Sequence, residues 1–273
     1  MKKILLSLFP FLLLELCLRV MGIGGGVVYL EDPDVGYRAA PNQRFSTMGF
    51  PITILDSGFR APAPAQPLLF VGDSVTYGTA YIKDEDTFAA LLGGANAGVN
   101  GWGLQNVAAA LRTWDLDGVD TVVWTIPSCD SLRSFMTLRG GLISTNRRMF
   151  LRLEYIFRFI WYGYLFPSQN TPDPAQYGKN ERVLLETAAR LEKKGTSLLV
   201  VFLPYREEVQ GTDMPETPYF NQLKDKAREA NLWMVEANPT SAVETIFRDS
   251  AHLTPVGNQW LAELIRQALA DKK

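Results

Sequence analysis

The chain holds a single histidine, His252, three residues after Asp249 in Asp249-Ser250-Ala251-His252. A carboxylate at that spacing in a turn reaches one imidazole nitrogen, fixes the tautomer and leaves the other nitrogen to take a proton. A serine alcohol is a poor nucleophile until such a base acts on it. The serine best placed to use this one is Ser74, in Phe70-Val71-Gly72-Asp73-Ser74-Val75-Thr76-Tyr77-Gly78, at the end of the apolar run Leu68 to Val71. Taken singly, Gly-Asp-Ser is an ordinary turn and His252 an ordinary surface side chain. Taken together, they supply a nucleophile, a base and an orienting acid. No G-x-S-x-G elbow surrounds Ser74, which argues against an α/β-hydrolase fold. The two cysteines, Cys17 and Cys129, cannot build a disulfide framework, and one histidine cannot build a Cys/His zinc cluster. No metal and no cofactor is expected.

The elements that must position these groups alternate along the chain. Apolar runs at Leu68–Val71, Thr121–Ile126 and Leu198–Leu203 read as buried strands, with weaker strands at Ala95–Val99 and Leu232–Val235. Between them, Thr87–Leu92, Leu104–Trp114, Glu181–Lys194 and Tyr219–Ala230 carry helical spacing. A last helix begins at Pro255, with Thr254 as its N-cap. Strands that are apolar throughout, alternating with helices, imply a parallel sheet covered on both faces. Ligands bind at the carboxyl ends of the strands in such sheets, and each candidate residue falls there or in the turn before the last helix.

Ser74 in its GDS, with Asp249 and His252 in a D-x-x-H near the C-terminus, resembles the first and last motif blocks of the SGNH/GDSL hydrolases. That resemblance covers residues 68–273. It implies a three-layer α/β/α flavodoxin-like fold and cleavage of carboxylic esters, including acetyl groups on sugars, lipids and thioesters. It also implies the roles of Ser74, His252 and Asp249 as nucleophile, base and orienting acid. Asn96-Ala97-Gly98-Val99-Asn100-Gly101-Trp102-Gly103 is similar to the second block, with Gly101 at the oxyanion-hole glycine and Gly98 as an alternative. The third block, G-x-N-D in the family, reads Pro127-Ser128-Cys129-Asp130 here. Cys129 therefore stands where an asparagine amide would join the amides of Ser74 and Gly101 in the oxyanion hole, and a thiol is a weak donor. Loss of one such donor costs about 3–4 kcal/mol in the transition state. Two other readings share the same residues. One is O-acyl transfer onto a cell-surface polysaccharide. The other is a non-catalytic SGNH-like binding protein, favoured by Cys129 and opposed by the intact Ser74/Asp249/His252 set.

Composition sets the remaining limits. With 273 residues, 47% hydrophobic and 21% charged, the chain can bury a sizeable core, and a net charge of −2 argues against a nucleic-acid binder. Lys2 and Lys3 precede an apolar run from Ile4 to Leu14, the layout of an export signal or signal-anchor. Three readings of residues 1–22 stay open: an uncleaved signal-anchor helix, a cleaved signal, and a buried helix. The first two put the rest of the chain outside the cytoplasm, in the periplasm or at the outer face of the cell membrane. Residues 23–67 read as a strand/loop pre-domain and linker. Its Asp34-Val35-Gly36-Tyr37-Arg38 and Asp56-Ser57-Gly58-Phe59-Arg60 resemble the corresponding region of membrane-anchored bacterial members. Residues 131–177 interrupt the hydrolase pattern. Between 131 and 172 lie Arg133, Arg139, Arg147, Arg148, Arg152 and Arg158 against one acid, Glu154. A helix over 144–166 would gather Phe150, Leu153, Phe157, Ile160 and Trp161 on one face and arginines on the other. It reads as a helix in a lipid interface or as one packed on the protein. The expected partners are thus an acyl ester substrate and a membrane.

Overall fold

The fold is a computed structural model that describes residues 2–47, 49–138, 147, 150–161 and 172–272. Helix α1 (Lys2–Val20) is followed by two antiparallel hairpins, β1 (Tyr29–Asp32) with β2 (Gly36–Ala39), and β3 (Gln43–Thr47) with β4 (Phe50–Ile54). Then come β5 (Leu68–Val71), α2 (Ser74–Tyr77), α3 (Phe88–Leu91), β6 (Ala95–Asn96), α4 (Leu104–Thr113), β7 (Thr121–Pro127), α5 (Leu153–Ile160) and α6 (Tyr177–Lys193). The chain closes with β8 (Ser197–Leu203), α7 (Arg206–Val209), α8 (Thr217–Glu229), β9 (Met234–Glu236), α9 (Val243–Ile246) and α10 (Pro255–Asp271).

The last five strands form one parallel sheet in the order β6-β5-β7-β8-β9. Numbered by appearance that is 2-1-3-4-5, the flavodoxin-like order, as expected for a doubly wound α/β fold. Successive residues of each strand point to opposite faces, so one strand feeds two cores. Val122, Trp124 and Ile126 of β7 pack with α4, α6 and α8, while Val123 packs with α3 and α10. The strand order reverses between β5 and β7, and in such sheets ligands bind at the carboxyl ends of the strands beside that switch point. Ser74 lies three residues past the end of β5, and Cys129 two past the end of β7.

The first hairpins are built into this body. Arg60 bridges Ile54 and Asn96, joining the β3–β4 hairpin to the β6 edge of the sheet. Tyr29 and Tyr37 of the β1–β2 hairpin are fully buried and meet edge-on at 5.2 Å between ring centroids, with Trp102 beyond.

The arginine-rich segment differs from the expectation of one helix over 144–166. Among the described residues α-helix runs from Leu153 to Ile160, and Arg147, Phe150, Leu151 and Arg152 lie before it. Arg139, Arg148 and the positions after Trp161 up to 171 lie outside the described residues. The start has a physical cause. The Glu15 carboxylate of α1 accepts the backbone N–H groups of Arg152 and Leu153, both at 2.9 Å, and so caps α5 from another helix. Arg19 ion-pairs with the same carboxylate at 2.6 Å, and Arg152 reaches back to the Gly24 carbonyl. Among the described residues no helix is long and apolar enough to cross a membrane.

Candidate active site

Ser74 is the first residue of α2, at the carboxyl end of β5. Asp73 caps that helix through Oδ1, which accepts the Val75 N–H at 2.9 Å. His252 sits in the turn leading to α10, whose start Thr254 caps by accepting the Gly257 N–H at 3.0 Å. The turn is fixed at its other end as well: the Asp249 Oδ1 accepts the backbone N–H groups of Ala251 and His252. A β-bridge between Phe247 and Leu253 closes it.

The structure thereby brings together three side chains that the sequence separates by up to 178 positions. Ser74 Oγ lies 2.8 Å from His252 Nε2. His252 Nδ1 lies 2.9 Å from Asp249 Oδ2 and 3.0 Å from Oδ1. With the ring proton on Nδ1, facing the carboxylate, Nε2 accepts from the serine hydroxyl. Burial opposes ionisation of Asp249, but the His252 ring, the two turn N–H groups and the imidazole charge outweigh it. They hold the carboxyl well below the usual range. Tyr81 adds a phenolic donor to Asp249 Oδ2 at 3.3 Å, and the Arg248 guanidinium stacks over the Tyr81 ring at 3.5 Å.

The two candidate oxyanion glycines separate cleanly. The Gly98 N–H is taken by the Asn96 Oδ1 at 3.1 Å, and a Cβ there would come within 2.3 Å of the Tyr77 backbone nitrogen. Gly98 thus lets the chain pass against the nucleophile helix. Gly101 has φ +83°, left-handed backbone that favours glycine, and its N–H has no acceptor among the described residues. The turn that carries it is held from the β1–β2 hairpin. Tyr37 donates to the Asn100 carbonyl at 2.7 Å, the Asn100 amide donates to the Tyr29 hydroxyl at 2.8 Å, and the Trp102 indole donates to the Tyr37 carbonyl at 2.9 Å. Local periodicity carries no signal for these contacts. The one sequence signal that could have pointed to them is the pair of tyrosines in the first hairpin, Tyr29 and Tyr37.

Cys129 follows β7 in a short 3₁₀ turn, Ser128–Ser131. Burial pushes its thiol well above the ordinary range, against the pull of Arg133. Arg133 Nη2 donates to the Cys129 sulfur at 2.9 Å, and its Nη1 lies 2.9 Å from Asp130 Oδ1, 3.2 Å from Asp73 Oδ2 and 2.6 Å from the Trp102 carbonyl. Asp73, Cys129 and Asp130 lie close enough together to suggest a cation site, but the guanidinium of Arg133 already fills that role. Asp130 is fully buried and its Oδ2 has no partner among the described residues; burial drives its carboxyl upward. This arginine cluster was not anticipated from the sequence.

No family model matches the chain, and no curated protein sequence does. Solved structures of similar topology include a catalytic mutant of an acetylxylan esterase from Geobacillus stearothermophilus. That match has a TM-score of 0.49 and 15% identity, covering 76% of this chain and 95% of the esterase. A GDSL-like lipase from Bacteroides thetaiotaomicron matches at a TM-score of 0.48 and 12% identity, covering 76% of this chain and 88% of the lipase. At such levels of similarity, chemistry has to be argued from the side chains of this chain.

Proposed function

We propose that the chain is a serine ester hydrolase of the SGNH/GDSL type. The observation that carries this reading is the unbroken hydrogen-bonded series Ser74 Oγ, His252 Nε2, His252 Nδ1 and Asp249 Oδ2 at the mouth of the sheet. In the acylation step the Ser74 oxygen bonds to the acyl carbon as its proton passes to His252 Nε2. The carbonyl oxygen becomes an oxyanion facing the amides of Ser74 and Gly101. Collapse breaks the bond to the alcohol, which leaves with the proton from His252. Water then attacks the acyl-serine, gives one proton to His252 and releases the acid, and the proton returns to Ser74. Ser74→Ala should abolish both hydrolysis of short activated esters and labelling by a fluorophosphonate. Activity or labelling at the wild-type level in that variant would overturn the assignment. Product analysis with a glycan acceptor in place of water tests whether the same acyl-serine is passed on instead.

The same reading puts the enzyme at a lipid surface on the outer side of the cytoplasmic membrane. Among the described residues, every exposed large hydrophobic side chain except Leu30 and Val256 belongs to α1 and its following turn or to residues 150–161. On α5 the polar side is engaged, with Arg158 3.0 Å from Glu154, while Phe157 and Ile160 face outward. The Glu15 clasp makes α1 and α5 one unit, and the basic Lys2 and Lys3 of the sequence suit an anionic headgroup layer. Co-flotation with phosphatidylglycerol vesicles, weakened by Phe157→Ser with Ile160→Ser, is the expected result. Equal recovery without vesicles would sink the idea.

A further inference from the structure

Cys129 takes the position at which the resemblance calls for an asparagine amide, and its half-buried thiol is a poor substitute. The side chain that crowds it is Arg133. This guanidinium touches a neighbour of every wall of the oxyanion hole. It contacts Asp73, adjacent to Ser74, at 3.2 Å; the carbonyl of Trp102, adjacent to Gly101, at 2.6 Å; and Cys129 itself at 2.9 Å. Room for it is provided by Gly103, where a Cβ would press on the Arg133 stem at 3.2 Å. Its Nη2 carries two hydrogens and spends one on the Cys129 sulfur; the other has no acceptor among the described residues. The side chain keeps 22% of its surface exposed, so the group is not sealed in the core.

We propose that Arg133 takes over the task of the missing asparagine, presenting an Nη2–H beside Cys129 to the developing oxyanion. This rests on the ester-hydrolase reading above. The charge suits the task, because a guanidinium stays protonated at every working pH and a charge-assisted donor is stronger than an amide. Asp73 and the backbone carbonyl of Trp102 fix the fork in place, so no reorganisation is required as the charge forms.

The test compares wild type with Arg133→Met, Arg133→Lys, Cys129→Asn and the double variant Cys129→Asn with Arg133→Met, on a short p-nitrophenyl ester. Melting temperature is followed alongside. Arg133→Met should lower kcat about 10²–10³-fold with KM nearly unchanged, since the contact exists only in the transition state. Adding Cys129→Asn should return tenfold or more of that loss, while Cys129→Asn alone changes wild-type kcat by less than that. If Arg133→Met does not fold, Arg133→Lys carries the test: it keeps the charge but loses the fork, and kcat should fall at least tenfold at constant KM. An unchanged kcat in a folded Arg133 variant, or a double variant no faster than Arg133→Met, overturns the proposal. Failure of the underlying reading looks different: wild type itself then neither hydrolyses esters nor is labelled at Ser74.

Discussion

The Tyr37 hydroxyl donates to the backbone carbonyl of Asn100 at 2.7 Å, one residue before Gly101. Tyr37 belongs to the first hairpin and is almost completely buried. Its removal leaves that carbonyl without its donor and frees the turn to rotate the Gly101 N–H away. Tyr37→Phe should lower kcat several-fold with little change in KM, at a stability cost of about 1 kcal/mol. Steady-state kinetics and urea unfolding check both halves. A KM effect alone would place Tyr37 in substrate binding instead.

Asp249→Asn keeps the shape of the turn but offers an amide where His252 needs an acceptor. The ring can then settle in the wrong tautomer, and kcat should drop by roughly 10³–10⁴-fold. The same carboxyl sets a pH signature. Its folded pKa lies below the unfolded value of about 3.9, so it adds stability above that pH and loses it as the pH falls through the folded value. The stability gap between wild type and Asp249→Asn should therefore be present at pH 5 and shrink below about pH 4. A gap that widened on acidification would contradict the assigned interactions.

Arg60 is fully buried and pairs with Asp84 at 2.8 Å, while also donating to the carbonyls of Tyr77, Thr79 and Ile82. It thus ties the β3–β4 hairpin to the loop that presents Tyr81 to Asp249. Arg60→Met strips a partly buried carboxylate and three carbonyls of a donor and should destabilise the fold by about 3–5 kcal/mol. Denaturant unfolding measures this directly, and a loss under 1 kcal/mol would mean the loop is held by something else.

Cys129 should be inert toward alkylation. Burial holds its thiol in the neutral form, and the thiolate is the reactive species. Iodoacetamide at pH 8 should label Cys17, which is exposed on α1, and reach Cys129 only after denaturation. Peptide mass mapping distinguishes the two. Rapid labelling of Cys129 in the native protein would show a reactive thiol there and contradict this assignment.

Much of the frame was legible because it is local. Leu68–Val71 is observed with the expected ends, and Thr254-Pro255 starts the last helix as its capping residues require. Ser74, Asp249 and His252 could be singled out because only one imidazole was available to pair with. Arg60, Tyr37 and Arg133 were not legible in the same way. Each acts through contacts between segments tens of residues apart, and neither periodicity nor a short motif encodes a partner at that distance. The arginine-rich segment failed for a related reason: its helical spacing extends well before Leu153, but the cap that starts the helix comes from Glu15, 138 positions upstream.

That cap has a bearing on biogenesis. A leader peptide is ordinarily an address label, legible to the export machinery and dispensable afterwards. Here one carboxylate in the stretch that reads as such a leader, Glu15 of α1, is the acceptor for two amides in the middle of the chain and also anchors Arg19. A cut after Gly22 would leave those amides without their acceptor, so it would act on the 150s from a distance. Retention of α1 and order in that remote helix are, in this architecture, a single property.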